Sequence, residues 1–263
     1  MDLEHGGQPE LARRCLERYL EVSGDCTGMC LLPFYKVYRA MVRAKVIAIR
    51  LSQPDLSQDE RSQALAEYRV YSALAEGYGV EPQPAVIITH GVSGSGKSSL
   101  SQMLVAGLPA VRIRSDVERK RLFERESGLG EGIYSARATA ETYRRLLELA
   151  DTISDACQAV VVDATFLERG QRRRFRELAR TRGLPFLILS VEAPETLLRE
   201  RVARRLAVGT DPSEATLAVL EAQLARREPL DAEEEALTLH VDTSREWSAE
   251  RLLAAVRGRL GNP

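Results

Sequence analysis

The stretch THGVSGSGKSSLSQML, residues 89–104, sets three glycines and a lysine between an apolar run and a helical pattern. Gly91 to Ser98 match G-x-x-x-x-G-K-[ST] without a gap. Glycines let the backbone turn so that successive N–H groups converge on one anion. The helix that follows aims the positive end of its dipole at the same place. A lysine at this position reaches the β- and γ-phosphates of a nucleoside triphosphate, and the next hydroxyl coordinates Mg²⁺. The expected nucleotide contacts are Gly91, Ser93, Gly94, Ser95, Gly96, Lys97, Ser98 and Ser99, with ATP and Mg²⁺ as the groups bound. Lysine is otherwise rare here: Lys36, Lys45 and Lys120 are the only others, and the remaining basic side chains are arginine.

The flanks give the loop its context. AVIIT (85–89) reads as a buried strand, and further short apolar strands are expected at AVRIR (110–114), AVVVDAT (159–165), PFLILSVEA (185–193) and LTLHVDT (237–243). Helical patterns separate them, from Lys97, from Val117, over 136–156, over 168–182, after Pro194 and from Trp247. Strands alternating with helices predict an α/β fold with a five-stranded, doubly wound parallel sheet. Before it, residues 10–22, 33–51 and about 59–77 carry helical periodicity. GYGVEPQP (77–84) has linker composition. Two domains follow: a helical segment over 1–80 and a P-loop domain over 81–263.

Three further constellations point to phosphoryl transfer. Asp163 ends the apolar strand AVVVD, where a carboxylate reaches the top of the sheet and can hold the magnesium shell through water. In IRSDVERKRL (113–122), Asp116 lies just past a strand at the carboxyl edge, where open α/β sheets bind ligands. It can accept the proton of an attacking hydroxyl, while Arg119, with Arg114 nearby, fixes an anionic group on the acceptor. Asp116 also suits ordinary helix capping. In LLRERVARRLAVGTDPSEAT (197–216), Arg201 and Arg205 flank an apolar stripe one turn apart, ahead of a loop, as a lid over ATP requires. Spacing does not choose between the two arginines. The cluster GQRRRF (170–175) reads as a surface face, or at most a secondary nucleic-acid contact.

The bulk composition excludes other classes. The formal charge of −1 offers no global field for nucleic acid or an anionic membrane. No apolar run approaches the ~20 residues a membrane-spanning helix needs. Four cysteines in 263 residues do not make a disulfide framework, and Cys26 and Cys30 have no histidine pair to complete a zinc site. The beginning of the chain, acidic and then polar, lacks the form of a signal peptide. A cytoplasmic protein is expected.

Residues 85–260 resemble the P-loop kinase group that includes phage-type polynucleotide 5′-kinases, gluconate kinases and zeta-toxin-like enzymes. GVSGSGKSSL, the Asp-x-x-Arg of IRSDVERKRL, VVVDATF and ERVARR followed by DPSEA carry the likeness. It implies that Asp116 is the general base, that Arg119 holds an acceptor phosphate, and that Arg201 or Arg205 is the lid arginine. The chain is also similar to a two-part bacterial family joining an aminoglycoside-phosphotransferase-like domain to an AAA_33, polynucleotide-kinase-like module. MDLEHGGQPELARRCLERYLEVSGD and LLPFYKVYRAMVRAKVIAIRL resemble the last helices of the first half. The H-x-D motif of that half is absent, since none of His5, His90 and His240 begins one. The resemblance therefore implies a helical segment without kinase chemistry, whose apolar stripes need covering by the second domain or by another protein.

The function expected is an ATP- and Mg²⁺-dependent kinase acting on a hydroxyl of a small molecule or a polynucleotide end. The neutral charge favours the small acceptor. The alternative is an ATP-binding regulatory or assembly module without a dedicated acceptor, docking through its helical segment.

Overall fold

The computed structural model describes residues 1–79, 84–123, 135–156, 158–208 and 215–261. The chain divides into two compact units, residues 1–82 and 83–263. Two sequence expectations, the end of the linker and most of the loop following Arg205, lie outside the described residues.

The first unit is helical: α1 (Asp2–His5), α2 (Pro9–Ser23), a 3-10 turn (Thr27–Cys30), α3 (Leu32–Leu51) and α4 (Gln58–Gly79). Pro9 starts α2 where its missing N–H costs nothing. Gly24 ends it in the left-handed conformation, with its N–H on the Leu20 carbonyl. Glu4 of α1 accepts from Lys36 Nζ (2.7 Å) and Tyr78 Oη (2.5 Å), so α1, α3 and α4 meet at one carboxylate. Burial raises the Glu4 pKa, but these bonds and the N-terminal amine outweigh it and hold the group at about 2. Much of the apolar stripe of α3 lies on its outer side. Tyr35, Tyr38, Val46 and Ile49 are more than half exposed, and Ala40 and Ala44 are buried. Alanine on the inner side lets two helix backbones approach closely, and α3 packs along α4 through these small residues with Ala64, Tyr71 and Ala75.

The second unit holds β1 (Val86–His90), α5 (Lys97–Gly107), β2 (Ala110–Arg114), α6 (Ser115–Phe123), α7 (Ala136–Asp155) and β3 (Ala159–Asp163). There follow α8 (Arg169–Thr181), β4 (Phe186–Glu192), α9 (Glu195–Val208), α10 (Leu217–Arg226), α11 (Ala232–Ala236), β5 (Thr238–Asp242) and α12 (Ala249–Arg259). The five strands form one parallel sheet in the order β2-β3-β1-β4-β5. Strands β1, β3 and β4 are apolar almost without interruption because helices cover both faces. Leu100 and Leu104 of α5, with Leu252 and Val256 of α12, pack against Ile87, Val161, Leu187 and Leu189. α7 and α8 lie against β1, β3 and β4, where Phe166 stacks edge-on with Tyr143 (5.2 Å) and Phe175 (4.9 Å).

Chain order reverses beside β1: its neighbours β3 and β4 lead to opposite edges of the sheet. Such a switch point leaves a crevice at the carboxyl ends of the strands. Here the loop after β1 faces the residues that end β3.

One expectation on this unit is corrected. GQRRRF is a surface face only in part: Arg173 and Arg174 are exposed, whereas Arg172 is 1% exposed and Phe175 is equally buried. α8 turns these two positions inward, and a carboxylate from the short α11 makes burial of the guanidinium tolerable. Arg172 Nε and Nη2 donate to Glu234 Oε1 (2.8 Å) and Oε2 (2.9 Å). Its remaining N–H groups reach the carbonyls of Phe166, Leu167, Glu228 and Pro229.

Candidate functional site

The loop between β1 and α5 is held open by its glycines. Gly91, Gly94 and Gly96 have φ of 144°, 83° and 96°, backbone space that other residues rarely enter. Neither Gly91 nor Gly94 has room for a side chain: a Cβ on Gly91 would collide with the Val191 carbonyl, and one on Gly94 would lie 2.8 Å from the Leu198 carbonyl. No side chain caps the start of α5. The first-turn amides of Lys97, Ser98 and Ser99 therefore lack an intrahelical acceptor and form an anion-binding end.

This end opens on a cavity of about 750 Å³ lined by Ser93, Gly94, Gly96, Lys97, Ser98 and Ser99. Asp116, Arg119, Asp163, Arg201 and Arg205 line the same cavity. Of the expected contacts, Gly91 and Ser95 stand behind the wall. The Gly91 amide donates to Thr165 O (3.0 Å), and the Ser95 carbonyl accepts from Thr243 Oγ1 (2.7 Å). Both serve the shape of the loop.

Lys97 is buried at the bottom. Its Nζ donates to Val92 O at 2.7 Å and lies 3.5 Å from Ser95 Oγ. Burial pushes its pKa down to about 8; Asp163 and Asp116 oppose the drop, and Arg205 adds to it. An anion in the cavity would favour the charged form. His90, just ahead of the loop, is also buried, and burial takes its pKa to about 4. Its Nδ1 lies 3.0 Å from Phe166 O, and because a carbonyl only accepts, Nδ1 carries the proton.

Asp163 ends β3 opposite Arg114 of β2. Its Oδ2 accepts from Ser101 Oγ (3.1 Å) and lies 3.7 Å from Arg114 Nε. Arg112, unnoticed in the sequence, steadies the same corner by donating to Ser98 O (3.2 Å) and Ser101 Oγ (3.3 Å). Ser98 and Asp163 offer hard oxygen donors. Among the described residues no group of three or more His, Cys, Asp or Glu gathers as a self-sufficient metal cage. A hydroxyl and one carboxylate fit Mg²⁺, which keeps waters and shares phosphate oxygens with a substrate.

Asp116 occupies the first turn of α6, and Arg119 follows one turn on, with Nη1 3.5 Å from Asp116 Oδ1. Both face the cavity. Glu118 between them turns away and is ion-paired with Arg121 and, at 3.6 Å, Arg145 of α7. The capping alternative for Asp116 does not fit, since the helix already includes Ser115.

The two arginines of α9 are held differently. Arg201 donates to Gly94 O (3.3 Å), Thr243 Oγ1 (2.8 Å) and Thr243 O (2.8 Å). Arg205 donates from Nη2 to Ala215 O (3.2 Å), while its buried Nε has no partner. Gln223 of α10 is a further cavity residue that the sequence did not disclose; its Oε1 accepts the Ser93 amide at 2.7 Å. Thr243, after β5, is another. Both reach the loop from more than a hundred residues away, and a lone Gln or Thr carries no local signal.

A family model described as an AAA domain (AAA_33) matches residues 86–230. Curated proteins of Mycobacterium tuberculosis and Mycobacterium bovis, both uncharacterized, are 28% identical over 233 residues, covering 86% of this chain and 45% of theirs. The chain thus spans less than half the length of these relatives. Among solved structures, a putative kinase of Chloroflexus aurantiacus superimposes with a TM-score of 0.57 at 25% identity, over 69% of this chain and 98% of that one. A sugar kinase of Janibacter sp. superimposes with a TM-score of 0.51 at 21% identity, over 68% and 95%. The second unit has the P-loop kinase fold.

Proposed function

This chain belongs to the AAA_33 family of AAA domains, and from that premise we propose that it is a P-loop phosphotransferase moving the γ-phosphate of ATP to a hydroxyl acceptor. One observation carries the reading. The amides of Lys97–Ser99, the Lys97 ammonium, Asp163, Asp116, Arg119 and Arg205 come from four separate elements and border a single cavity.

Phosphoryl transfer asks little of a protein beyond positioning and charge neutralisation. The loop amides and Lys97 hold the phosphate tail. Ser98 and Asp163 would hold Mg²⁺, which, when bound, spreads the charge developing on the phosphate oxygens. Asp116, a quarter exposed at its side chain, accepts the acceptor's hydroxyl proton. Arg119 orients Asp116 and meets anionic groups of the acceptor. Arg205 donates from its unpartnered Nε to the phosphoryl group in flight, whereas Arg201 is committed to the loop and Thr243. The absence of a charge excess favours a small acceptor over a polynucleotide.

Asp116→Asn separates binding from chemistry. The variant should bind ATP as the parent does and lose about 10²-fold or more in turnover. Labelled ATP, incubated with pooled metabolites and oligonucleotides, reads the product. Full transfer by the variant would overturn the assignment.

A second reading is favoured by the outer face of α3, where Phe34, Tyr35, Tyr38 and Met41 are each more than half exposed. It makes the chain an ATP-binding module that docks on a protein partner through the helical unit, whose helices we read as the end of a phosphotransferase-like domain. A cytoplasmic setting accords with the free thiols of Cys15, Cys26 and Cys30.

A further inference from the structure

The peptide linking Val92 to Ser93 is held on both sides. Its carbonyl accepts from Lys97 Nζ at 2.7 Å, and its N–H donates to Gln223 Oε1 at 2.7 Å. A backbone N–H can only donate, so the oxygen of the Gln223 amide must be the atom facing it. The amide's NH₂ then points elsewhere, with two donors on a side chain that lines the cavity. Lys97 is the residue that reaches the β- and γ-phosphates in loops of this kind. Gln223, on the opposite side of that peptide, borders the same cavity as Lys97 and Arg205, and the segment that carries it also bonds Arg205 through the Ala215 carbonyl, which sets its amide toward the terminal end of the phosphate tail.

Gln223 is also firmly placed. Its helix, α10, is anchored by Leu220, which is fully buried against Val92, Leu198 and Val202. Thr216 caps the helix by accepting from Val219 N. Ala215, just ahead of it, accepts from Arg205. One short segment thus carries both an acceptor for the arginine and an amide bound to the loop.

We propose that Gln223 is a nucleotide-specificity residue: with its oxygen fixed by the Ser93 amide, its NH₂ donates to the terminal phosphate and separates ATP from ADP. This rests on the nucleotide reading of the loop, yet goes beyond it, because it assigns the γ-phosphate end to α10. The same bond lets occupancy of that end tighten the hold of α10 on the loop.

Calorimetric titration of the full chain with Mg²⁺ and either ADP or a non-hydrolysable ATP analogue tests it. Gln223→Glu keeps an acceptor for Ser93 but replaces the donors with negative charge. It should weaken the ATP analogue roughly tenfold to a hundredfold, as expected for a lost hydrogen bond to a charged group, and change ADP by less than about twofold. Gln223→Met, which adds no charge but also removes the acceptor for Ser93, should weaken both nucleotides, and the analogue about tenfold more than ADP. Unchanged analogue affinity in Gln223→Glu, or equal losses for both nucleotides, would show that Gln223 only props the loop and would overturn the inference. If the parent chain binds neither nucleotide, the nucleotide reading itself falls, and this one with it.

Discussion

Arg172→Met removes a guanidinium from the least accessible charged site among the described residues of the second unit. Arg172 and Glu234 side chains are 1% and 4% exposed, so the variant leaves a carboxylate in the interior without its partner. Four backbone carbonyls, those of Phe166, Leu167, Glu228 and Pro229, lose a donor at the same time. Breaking one side of a buried pair costs about 3–5 kcal/mol. For a unit of this size each kcal/mol moves the melting temperature by about 2–4 °C, so a fall of about 6–20 °C is expected. The double variant Arg172→Met/Glu234→Leu leaves no unpaired charge and should recover a large part of the loss, because replacing both partners with apolar groups is often neutral. Thermal melts and urea titrations of the three proteins at equal concentration measure this. A single variant within about 1 kcal/mol of the parent, or a double variant no better than the single, would refute the account.

The other expectations concern the loop. ATP affinity should be at full strength below about pH 8, the Lys97 pKa in the free protein, because bound phosphates favour the ammonium. As pH rises beyond that value affinity should fall, by up to tenfold per unit, until the higher pKa of the bound state is passed. A flat titration from pH 7 to about 9.5 would contradict this. Gly94→Ala should destabilise the protein by about 2 kcal/mol or more and abolish tight nucleotide binding, since φ of 83° disfavours a Cβ and the Leu198 carbonyl stands 2.8 Å from where it would sit. Undiminished binding would show that the loop relaxes freely.

Most of the fold and part of the site were legible in the sequence, and the division has a physical cause. The strand–loop–helix of residues 86–107 is written in adjacent residues, because a phosphate loop needs its glycines, lysine and hydroxyl at fixed short spacing. Asp163 and Asp116 could be placed because each follows an apolar strand, whose carboxyl end marks the crevice. Arg172, read as solvated, pairs with a glutamate 62 positions away on a five-residue helix too short to show periodicity. Gln223 and Thr243 likewise depend on strand order, which no local pattern encodes. On α3 the helical period was legible, but its packing face was not, because alanines make it and small residues stand out weakly in an apolar pattern. Arg201 and Arg205 were equivalent in spacing and differ only in what surrounds them.

Gly94 lies so close to the Leu198 carbonyl that the first turns of α9 rest directly on the loop backbone. Arg201, tied to the Gly94 carbonyl, extends that contact by another turn. A swing of α9 that kept both contacts would pivot beyond Val202, nearer Arg205. A pivot there would carry the arginine with the free Nε through an arc while the cradle beneath stays still.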